Sequence, residues 1–289
     1  MFKIVRKEVL NPTITLLEIE APFVAKKAQP GQFIILRIDE QGERLPLTIG
    51  GFDREKGTVT IIFQLVGLTT KALAKLNEGD YLLDFVGPLG VPTEMEGVKS
   101  ACVIGGGLGT AIAFPVAKGF HDAGVRTDVI VGFRNKDLVI LEKDFADACD
   151  NLYVMTDDGS YKEKGFTTTK LQQLLEAGEK YDVIIAIGPI PMMKFVVKTA
   201  EPFGVPTRVS LNPIMIDGTG MCGGCRLTLV KEDGTKVTKF ACVDGPEFDG
   251  YQVDFDDLMN RNATYREQEA EMTRDHMCRF DKLGQDLIP

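Results

Sequence analysis

Three cysteines and one aspartate in the last third of the chain have the spacing of a metal-binding loop. Asp217, Cys222 and Cys225 are separated by four and two residues, and Cys242 follows after another sixteen. This is the C-x4-C-x2-C…C spacing of a 2Fe-2S loop, with aspartate in the first position. Glycines throughout the stretch would let the backbone wrap a cluster and donate amides to its sulfides. The spacing therefore predicts an iron-sulfur cluster.

Other interpretations of these residues stay open. A zinc site usually has two C-x2-C pairs, or a cysteine pair with a histidine pair, whereas this chain has one C-x2-C and only His121 and His276. The thiols could also be unligated. If Asp217 only caps the loop, a remote thiol such as Cys278 would be the fourth ligand. As a ligand, a carboxylate is harder and less covalent than a thiolate, so Asp217 would change the cluster potential.

A glycine-rich segment in the middle of the chain could bind a dinucleotide. Gly105 to Thr110 (GGGLGT) follow an apolar strand and open a helix, where backbone amides and the helix N-terminus favour a pyrophosphate. The fingerprint is imperfect, because Thr110 replaces the third glycine and no acidic residue closes the second strand. A simple strand-to-helix turn is therefore the alternative. A second loop, Gly188 to Met192, leaves another predicted parallel strand, at the edge where such sheets bind ligands.

Two segments of the first hundred residues could hold another phosphate-bearing cofactor. Arg44 to Thr48 offer a guanidinium and a hydroxyl, and Gly87 to Gly90 form a glycine-proline turn. From residue types alone, a charged edge strand and an ordinary turn are the better interpretation.

The hydrophobic pattern divides the chain into four parts that would position these residues. Residues 1–97 alternate apolar and polar residues in short runs, which predicts a β-barrel or sandwich with one helical patch at 68–76. Residues 98–205 alternate strands with helices, which predicts an α/β domain with a parallel sheet. Residues 206–250 hold the cysteine loop and a hairpin that turns at Asp233-Gly234. Residues 251–289 form an acidic, helix-like tail.

The charge and composition exclude several classes of protein. The formal net charge of −9 argues against nucleic acid as a partner, since phosphate binding needs a basic patch. Residues 244–289 carry 12 acidic and 5 basic side chains, which fits either a solvated helix face or a docking surface. The first ten residues lack the apolar core of a signal peptide, and no apolar run reaches the length of a membrane span. We therefore expect a cytoplasmic protein without membrane contact, with Cys102 and Cys149 as buried thiols.

The ordered set of motifs resembles the ferredoxin-NADP reductase superfamily. An Arg-x-Pro-x-Thr strand, a GPLG turn, GGGLGTAIAFP, GPIPMM and the cysteine loop follow one another over about residues 5–250. Within that superfamily they resemble the electron-transfer subunits of dihydroorotate dehydrogenase. The aspartate-led loop, CVDGP and a tail with HMCR are more similar still to the family of small (alpha) subunits of NADH-dependent reduced ferredoxin:NADP oxidoreductases, also described as sulfide dehydrogenase beta.

The resemblance implies three cofactors and their binding residues. FAD would lie on the barrel, held by Arg44, Pro46, Leu47, Thr48, Gly67, Thr69, Thr70, Gly87, Pro88, Leu89 and Gly90. NAD(H) would cross Gly105, Gly106, Gly107, Leu108, Gly109, Thr110, Arg134, Gly188, Pro189 and Met192. A 2Fe-2S cluster would be ligated by Asp217, Cys222, Cys225 and Cys242. Arg44 lies four residues before Thr48, where the superfamily usually has three, and Arg134 could favour the 2′-phosphate of NADP(H).

The resemblance also implies an NAD(P)H-dependent oxidoreductase subunit. It would exchange hydride between NAD(H) and FAD and pass single electrons through the cluster to a larger flavin and iron-sulfur subunit. That electron-bifurcating heterodimer would act indirectly on ferredoxin and NADP(H). No catalytic side chain is assigned, because no Ser, His or Cys arrangement indicates nucleophilic catalysis. Two other candidates are the dihydroorotate dehydrogenase subunit, which normally has cysteine in place of Asp217 and a shorter C-terminal end, and a non-catalytic tethering subunit.

Overall fold

An antiparallel barrel forms the first part of the computed structural model, which describes residues 1–271. Its elements are β1 (Phe2–Asn11), β2 (Ile14–Glu20), α1 (Pro22–Lys27), β3 (Phe33–Arg37), β4 (Leu45–Asp53), β5 (Thr58–Gln64), α2 (Leu68–Leu73), β6 (Tyr81–Leu82) and β7 (Asp84–Leu89). The strand order is β6-β1-β2-β5-β4-β3-β7, so the two edge strands are neighbours in the chain and the barrel is nearly closed. Inward side chains such as Ile4, Leu17, Ile61 and Phe63 are fully buried in its interior.

A parallel sheet covered by helices follows the barrel. Its elements are β8 (Ser100–Gly106), α3 (Gly109–Asp122), β9 (Arg126–Phe133), α4 (Glu142–Ala146), β10 (Asn151–Thr156), β11 (Glu163–Lys164), α5 (Thr167–Glu176), β12 (Val183–Ile187), α6 (Ile190–Ala200) and β13 (Thr207–Ser210), with 3-10 turns at Lys136–Leu138 and Glu201–Phe203. The strands run in the order β11-β10-β9-β8-β12-β13 and all neighbours are parallel. Every residue of β12 is buried, as expected for a strand covered on both faces.

The remaining elements form a hairpin and then return to the parallel sheet. They are β14 (Arg226–Val230), β15 (Lys236–Phe240), α7 (Ala241–Asp244), β16 (Glu247–Asp249) and α8 (Phe255–Asn262). β14 and β15 pair with each other, and β16 pairs antiparallel with β13, with Glu247 opposite Ser210. Residues 266–271 are helical, and the rest of the predicted tail, 272–289, lies outside the described residues.

The strand order places two loops side by side. It reverses between β8 and β12, whose register pairs Ile104 with Ala186 and Gly105 with Ile187. The loops that follow these two strands therefore open at the same carboxyl edge. Open α/β sheets bind their ligands at such a reversal.

The predicted fold class is confirmed in the described residues: a barrel, a parallel-sheet domain, and a small C-terminal unit followed by helix. The domain boundaries after residues 97, 205 and 250 stay predictions. Strand pairing does not follow the second of them, because β13 and β16 both belong to the parallel sheet. Within residues 1–271, no helix is long and apolar enough to cross a membrane.

Candidate functional site

A cavity of about 910 Å³ lies where the barrel meets the carboxyl edge of the parallel sheet. Its volume is within the range of small-molecule and cofactor sites. On the barrel side it is lined by Pro46, Leu47 and Thr48 of β4. On the sheet side, the predicted residues that line it are Gly106, Gly107, Leu108, Gly109, Arg134, Gly188, Pro189 and Met192. The structure thus brings together, on one cavity, residues assigned from the sequence to two different cofactors.

Other predicted cofactor residues do not line this cavity. They are Arg44, Gly67, Thr69, Thr70, Gly87, Pro88, Leu89, Gly90, Gly105 and Thr110. Several of them have structural partners: the Thr70 hydroxyl accepts from Gly67 N at 3.0 Å, and the Thr69 hydroxyl donates to Glu43 Oε2 at 2.5 Å. Their roles in binding FAD or a nucleotide stay predictions.

The glycines of the first loop allow close approach of α3, β8 and β12. A Cβ on Gly109 would lie 2.3 Å from the carbonyl oxygen of Ile187, and a Cβ on Gly105 would lie 2.7 Å from the Cα of Thr110. Gly107 differs, because it has a φ of +56° and open space where a Cβ would stand. The Gly107 amide already donates to Gly132 O at 2.9 Å, so what Gly107 gives a ligand is space. Leu108 and Gly109, at the N-terminus of α3, also line the cavity, where a helix N-terminus favours a phosphate. This cradle fits a nucleotide pyrophosphate.

Further polar and aromatic residues of the cavity wall were missed from the sequence. They include Asp157, Phe166, Thr167, Thr168, Phe195, Ser210 and Asn212. Two of them follow the carboxyl ends of parallel strands, Asp157 after β10 and Asn212 after β13. That position was the available signal, since ligands bind at this edge. Asn212 was not predicted because β13 has only four residues and lies beyond the predicted boundary at 205.

Two of the three loop cysteines are buried together. The Sγ atoms of Cys225 and Cys242 lie 3.2 Å apart, and both residues are free thiols. Burial raises the pKa of Cys242 to about 12. Cys222 is exposed, and its sulfur accepts from the backbone amide of Gly224 at 3.4 Å, which lowers its pKa. A buried pair of reduced thiols, with a third sulfur already receiving an amide, suits an iron-sulfur cluster.

Asp217 caps its own loop. Its Oδ2 accepts from the Thr219 amide at 3.0 Å and from the Thr219 hydroxyl, and these bonds hold the pKa of Asp217 below its usual value. The same Asp-Gly-Thr turn recurs in the hairpin, where Asp233 Oδ1 accepts from Thr235 N at 2.9 Å. Both central glycines have positive φ, +82° at Gly218 and +80° at Gly234.

The four predicted cluster ligands are not gathered into one group in the described part of the chain. No set of three or more His, Cys, Asp or Glu side chains there has metal-binding geometry. Cys225 and Cys242 are in contact, whereas Asp217 is turned towards Thr219. The ligand set, including Asp217, stays a prediction, and Cys278 lies outside the described residues.

The cysteine loop packs directly against the barrel. A Cβ on Gly218 would lie 2.3 Å from Ile35 Cδ1 and 3.2 Å from Leu89 Cδ1, so only glycine fits there. Met215 and Pro246, which flank the cysteine-bearing segment, also line the large cavity. The cysteine loop and the cavity therefore share a wall.

Comparisons with known proteins agree with this arrangement. Residues 212–254 match the iron-sulfur cluster binding domain of dihydroorotate dehydrogenase B. A Thermotoga maritima protein described as a dihydroorotate dehydrogenase B (NAD(+)) electron transfer subunit homolog is 45% identical over 267 residues, 92% of each chain. A Clostridium beijerinckii protein known from the adh 3′ region is 53% identical over 278 residues, 93% of this chain and 92% of its own.

A solved structure gives the same result in three dimensions. A chain of the NADH-dependent reduced ferredoxin-NADP oxidoreductase, studied for flavin-based electron bifurcation, is 43% identical and superposes with a TM-score of 0.88. The match covers 96% of this chain and 98% of that one.

The fold and the site define a ferredoxin reductase-like oxidoreductase, an NAD(P)H-dependent electron-transfer subunit with an iron-sulfur binding domain. Within that class, the chain belongs to the family of dihydroorotate dehydrogenase B electron transfer subunits and their homologues, in the ferredoxin-NADP reductase superfamily. The predicted cofactors, FAD, NAD(H) and an iron-sulfur cluster, are confirmed at the level of this family.

Proposed function

We propose that this chain is the small subunit of an electron-bifurcating NADH-dependent ferredoxin:NADP oxidoreductase. It exchanges hydride between NAD(H) and FAD and passes single electrons through a 2Fe-2S cluster to a larger flavoprotein subunit. The observation that carries the proposal is the wall shared by the cavity and the cysteine loop at Met215 and Pro246. The similarity to the ferredoxin-NADP oxidoreductase chain over almost the whole length supports the choice of complex.

The chain's own residues would hold the redox groups. Gly107 leaves space for a pyrophosphate beside the N-terminus of α3, and Pro46, Leu47 and Thr48 form the facing barrel wall. Arg134 and Asp157 place one positive and one negative charge on the wall at the ends of β9 and β10. When bound, the flavin supplies conversion between two-electron and one-electron transfer. Cys222, Cys225, Cys242 and Asp217 would hold the cluster.

A second candidate is the electron-transfer subunit of dihydroorotate dehydrogenase, which the family match at residues 212–254 favours. The dihydroorotate dehydrogenase B subunits of Fusobacterium, Streptococcus, Methanocaldococcus and Bacillus align with 80% to 86% of this chain. These subunits are 30% to 35% identical to this chain, whereas the ferredoxin-NADP oxidoreductase chain is 43% identical. That difference in identity supports the first candidate.

Anaerobic purification of the native complex tests the proposal. We expect a larger flavin and iron-sulfur subunit to copurify, and NADH to bleach the flavin absorbance and to produce the electron paramagnetic resonance (EPR) signal of a reduced 2Fe-2S centre. Cys225→Ser should remove that signal. Cys149→Ser should leave it unchanged, because the Cys149 thiol donates a hydrogen bond to Phe145 O. Reduction by dihydroorotate would favour the second candidate. A colourless chain after anaerobic reconstitution would contradict both.

The role of Asp217 needs its own comparison, because Asp233 occupies the same kind of turn. Asp217→Cys should bind a cluster with a different midpoint potential and EPR spectrum, while Asp233→Cys should change neither. If both variants keep the wild-type spectrum and potential, Asp217 is only a cap of the turn.

A further inference from the structure

Arg44 reaches away from the large cavity. It directly precedes β4, whose residues Pro46 and Thr48 line that cavity, but Arg44 itself does not. Its Nη2 instead donates to the backbone oxygen of Asp217 at 3.4 Å, across 173 residues of sequence. The guanidinium therefore joins the barrel to the first residue of the cysteine loop.

The loop packs closely on the barrel beside this contact. Gly218 is packed so tightly against Ile35 and Leu89 that a Cβ would lie 2.3 Å from the first and 3.2 Å from the second. Gly220 lies against Val243 of its own segment, where a Cβ would be 3.2 Å from both Val243 methyl groups. The loop therefore touches the barrel at Gly218, one residue from the carbonyl that Arg44 contacts.

Arg44 has no carboxylate within ion-pair distance in residues 1–271, although its charge acts on the nearby Asp217 carboxylate. Among residues 1–271 it forms no ion pair, and the carboxylate of its neighbour Glu43 accepts from the Thr69 hydroxyl instead. Lys239, another cation of this region, is paired with Asp244 at 2.9 Å. Arg226, the first residue of β14, donates to Gly223 O of the cysteine loop at 3.3 Å. Arg44 thus places a positive charge of the barrel beside the loop that carries the predicted anionic cluster ligands.

We propose that Arg44 is a positioning residue of the iron-sulfur centre, which holds the Asp217 end of the loop on the barrel and raises the midpoint potential of the cluster. The inference rests on the proposed function, since it requires a cluster in this loop. Reduction adds one negative charge, and a nearby cation favours the reduced state. Arg44 is exposed, so solvent screens much of this effect. We expect its removal to shift the reduction equilibrium about threefold, or about 30 mV lower at 59 mV per tenfold.

An EPR-monitored redox titration of the anaerobic complex tests this inference. Arg44→Gln should lower the midpoint potential of the cluster, and Arg44→Lys, which keeps the charge, should restore most of the loss. Arg54→Gln is the matched control, because Arg54 is also a barrel arginine that donates to a carbonyl, Ala28 O at 2.8 Å. It should leave the potential unchanged. Raising the ionic strength should reduce the difference between wild type and Arg44→Gln, since the interaction is exposed.

The outcomes separate this inference from the proposed function. If the wild-type complex has no cluster signal, the proposed function fails before Arg44 is tested. An intact cluster with the same potential in wild type and Arg44→Gln overturns the inference alone. Loss of FAD from Arg44→Gln, with the cluster potential unchanged, would also overturn it and would assign Arg44 to the flavin. If Arg44→Gln does not accumulate, Arg44→Lys decides, because a midpoint potential about 30 mV or more below that of the wild type, despite the retained charge, would overturn the inference.

Discussion

Replacing Gly109 by alanine tests whether the close packing of α3 on β12 positions the two loops at the carboxyl edge of the parallel sheet. The added Cβ would lie 2.3 Å from Ile187 O and 2.7 Å from both Ile187 C and Gly188 Cα. All three are backbone atoms, so no side chain can rotate to relieve the clash. Since non-bonded carbon contacts normally lie at about 3.5 Å or more, the start of α3 must move by on the order of 1 Å away from β12.

This movement should lower the free energy of unfolding, and it should lower the affinity for nucleotide even more. Overpacking of this kind typically destabilises by about 1–3 kcal/mol, and a clash with backbone belongs at the upper end. Gly107, Leu108 and Gly188 line the cavity at the same place, so both loops of the edge are displaced. Misplacement by about 1 Å can cost up to about 100-fold in activity, and we expect at least a tenfold loss of nucleotide affinity.

The assay compares Gly109→Ala with Gly51→Ala, whose new Cβ would lie at an ordinary 3.6 Å from Thr60 Cβ. Urea unfolding gives the free energy of unfolding, and titration with ADP-ribose gives affinity independently of turnover. Gly51→Ala should match the wild type in affinity. If Gly109→Ala unfolds and binds like Gly51→Ala, the close packing of α3 on β12 is not what positions the nucleotide loops.

Two further predictions concern buried carboxylates. Asp128 is fully buried and accepts from Asn151 Nδ2 and Tyr181 Oη at 2.8 Å and from Arg126 Nη2 at 3.0 Å. Asp128→Asn should lower the free energy of unfolding by about 2–4 kcal/mol in urea titrations, whereas Asp122→Asn, at an exposed ion pair, should change it by less than about 1 kcal/mol. Burial raises the pKa of Glu247 above its usual 4.5, and its Oε2 is buried without a partner among residues 1–271. A raised pKa means that its stabilising contribution is present below the unfolded pKa and is lost as pH rises through the folded pKa. The stability of Glu247→Gln relative to wild type should therefore grow above about pH 4.5, and parallel curves in urea titrations from pH 4 to 8 would refute this.

The elements that the sequence predicted well are those with local signals. The apolar run before Gly105 and the glycines after it identify β8 and the start of α3, and Asp233-Gly234 identifies the hairpin turn. β13 and β16 carry no comparable signal. They have four and three residues. They become strands because β13 pairs with β12 and β16 pairs with β13, through partners that are distant in sequence.

The candidate site shows the same limit. Glycine spacing indicated which loops face the cavity, because a backbone that approaches phosphate needs a residue without a Cβ. The direction of Arg44 could not be predicted, because residue type alone does not distinguish a flavin phosphate from a loop carbonyl 173 residues away. Nor could Asp217 be separated from Asp233, since both begin an Asp-Gly-Thr turn with the same local hydrogen bond.

The pairing of β13 with β16 has a consequence for the evolution of such a protein. Leu211 N donates to Pro246 O at 2.9 Å, so one hydrogen bond joins the two ends of the segment that carries the cysteines, next to the pairing of β13 with β16. A segment anchored in this way behaves as an insert, whose closure cost depends little on its length. A protein of this architecture can gain, lose or exchange its cysteine-bearing segment at one point in the gene, while the register of the parallel sheet and the nucleotide edge stay as they are.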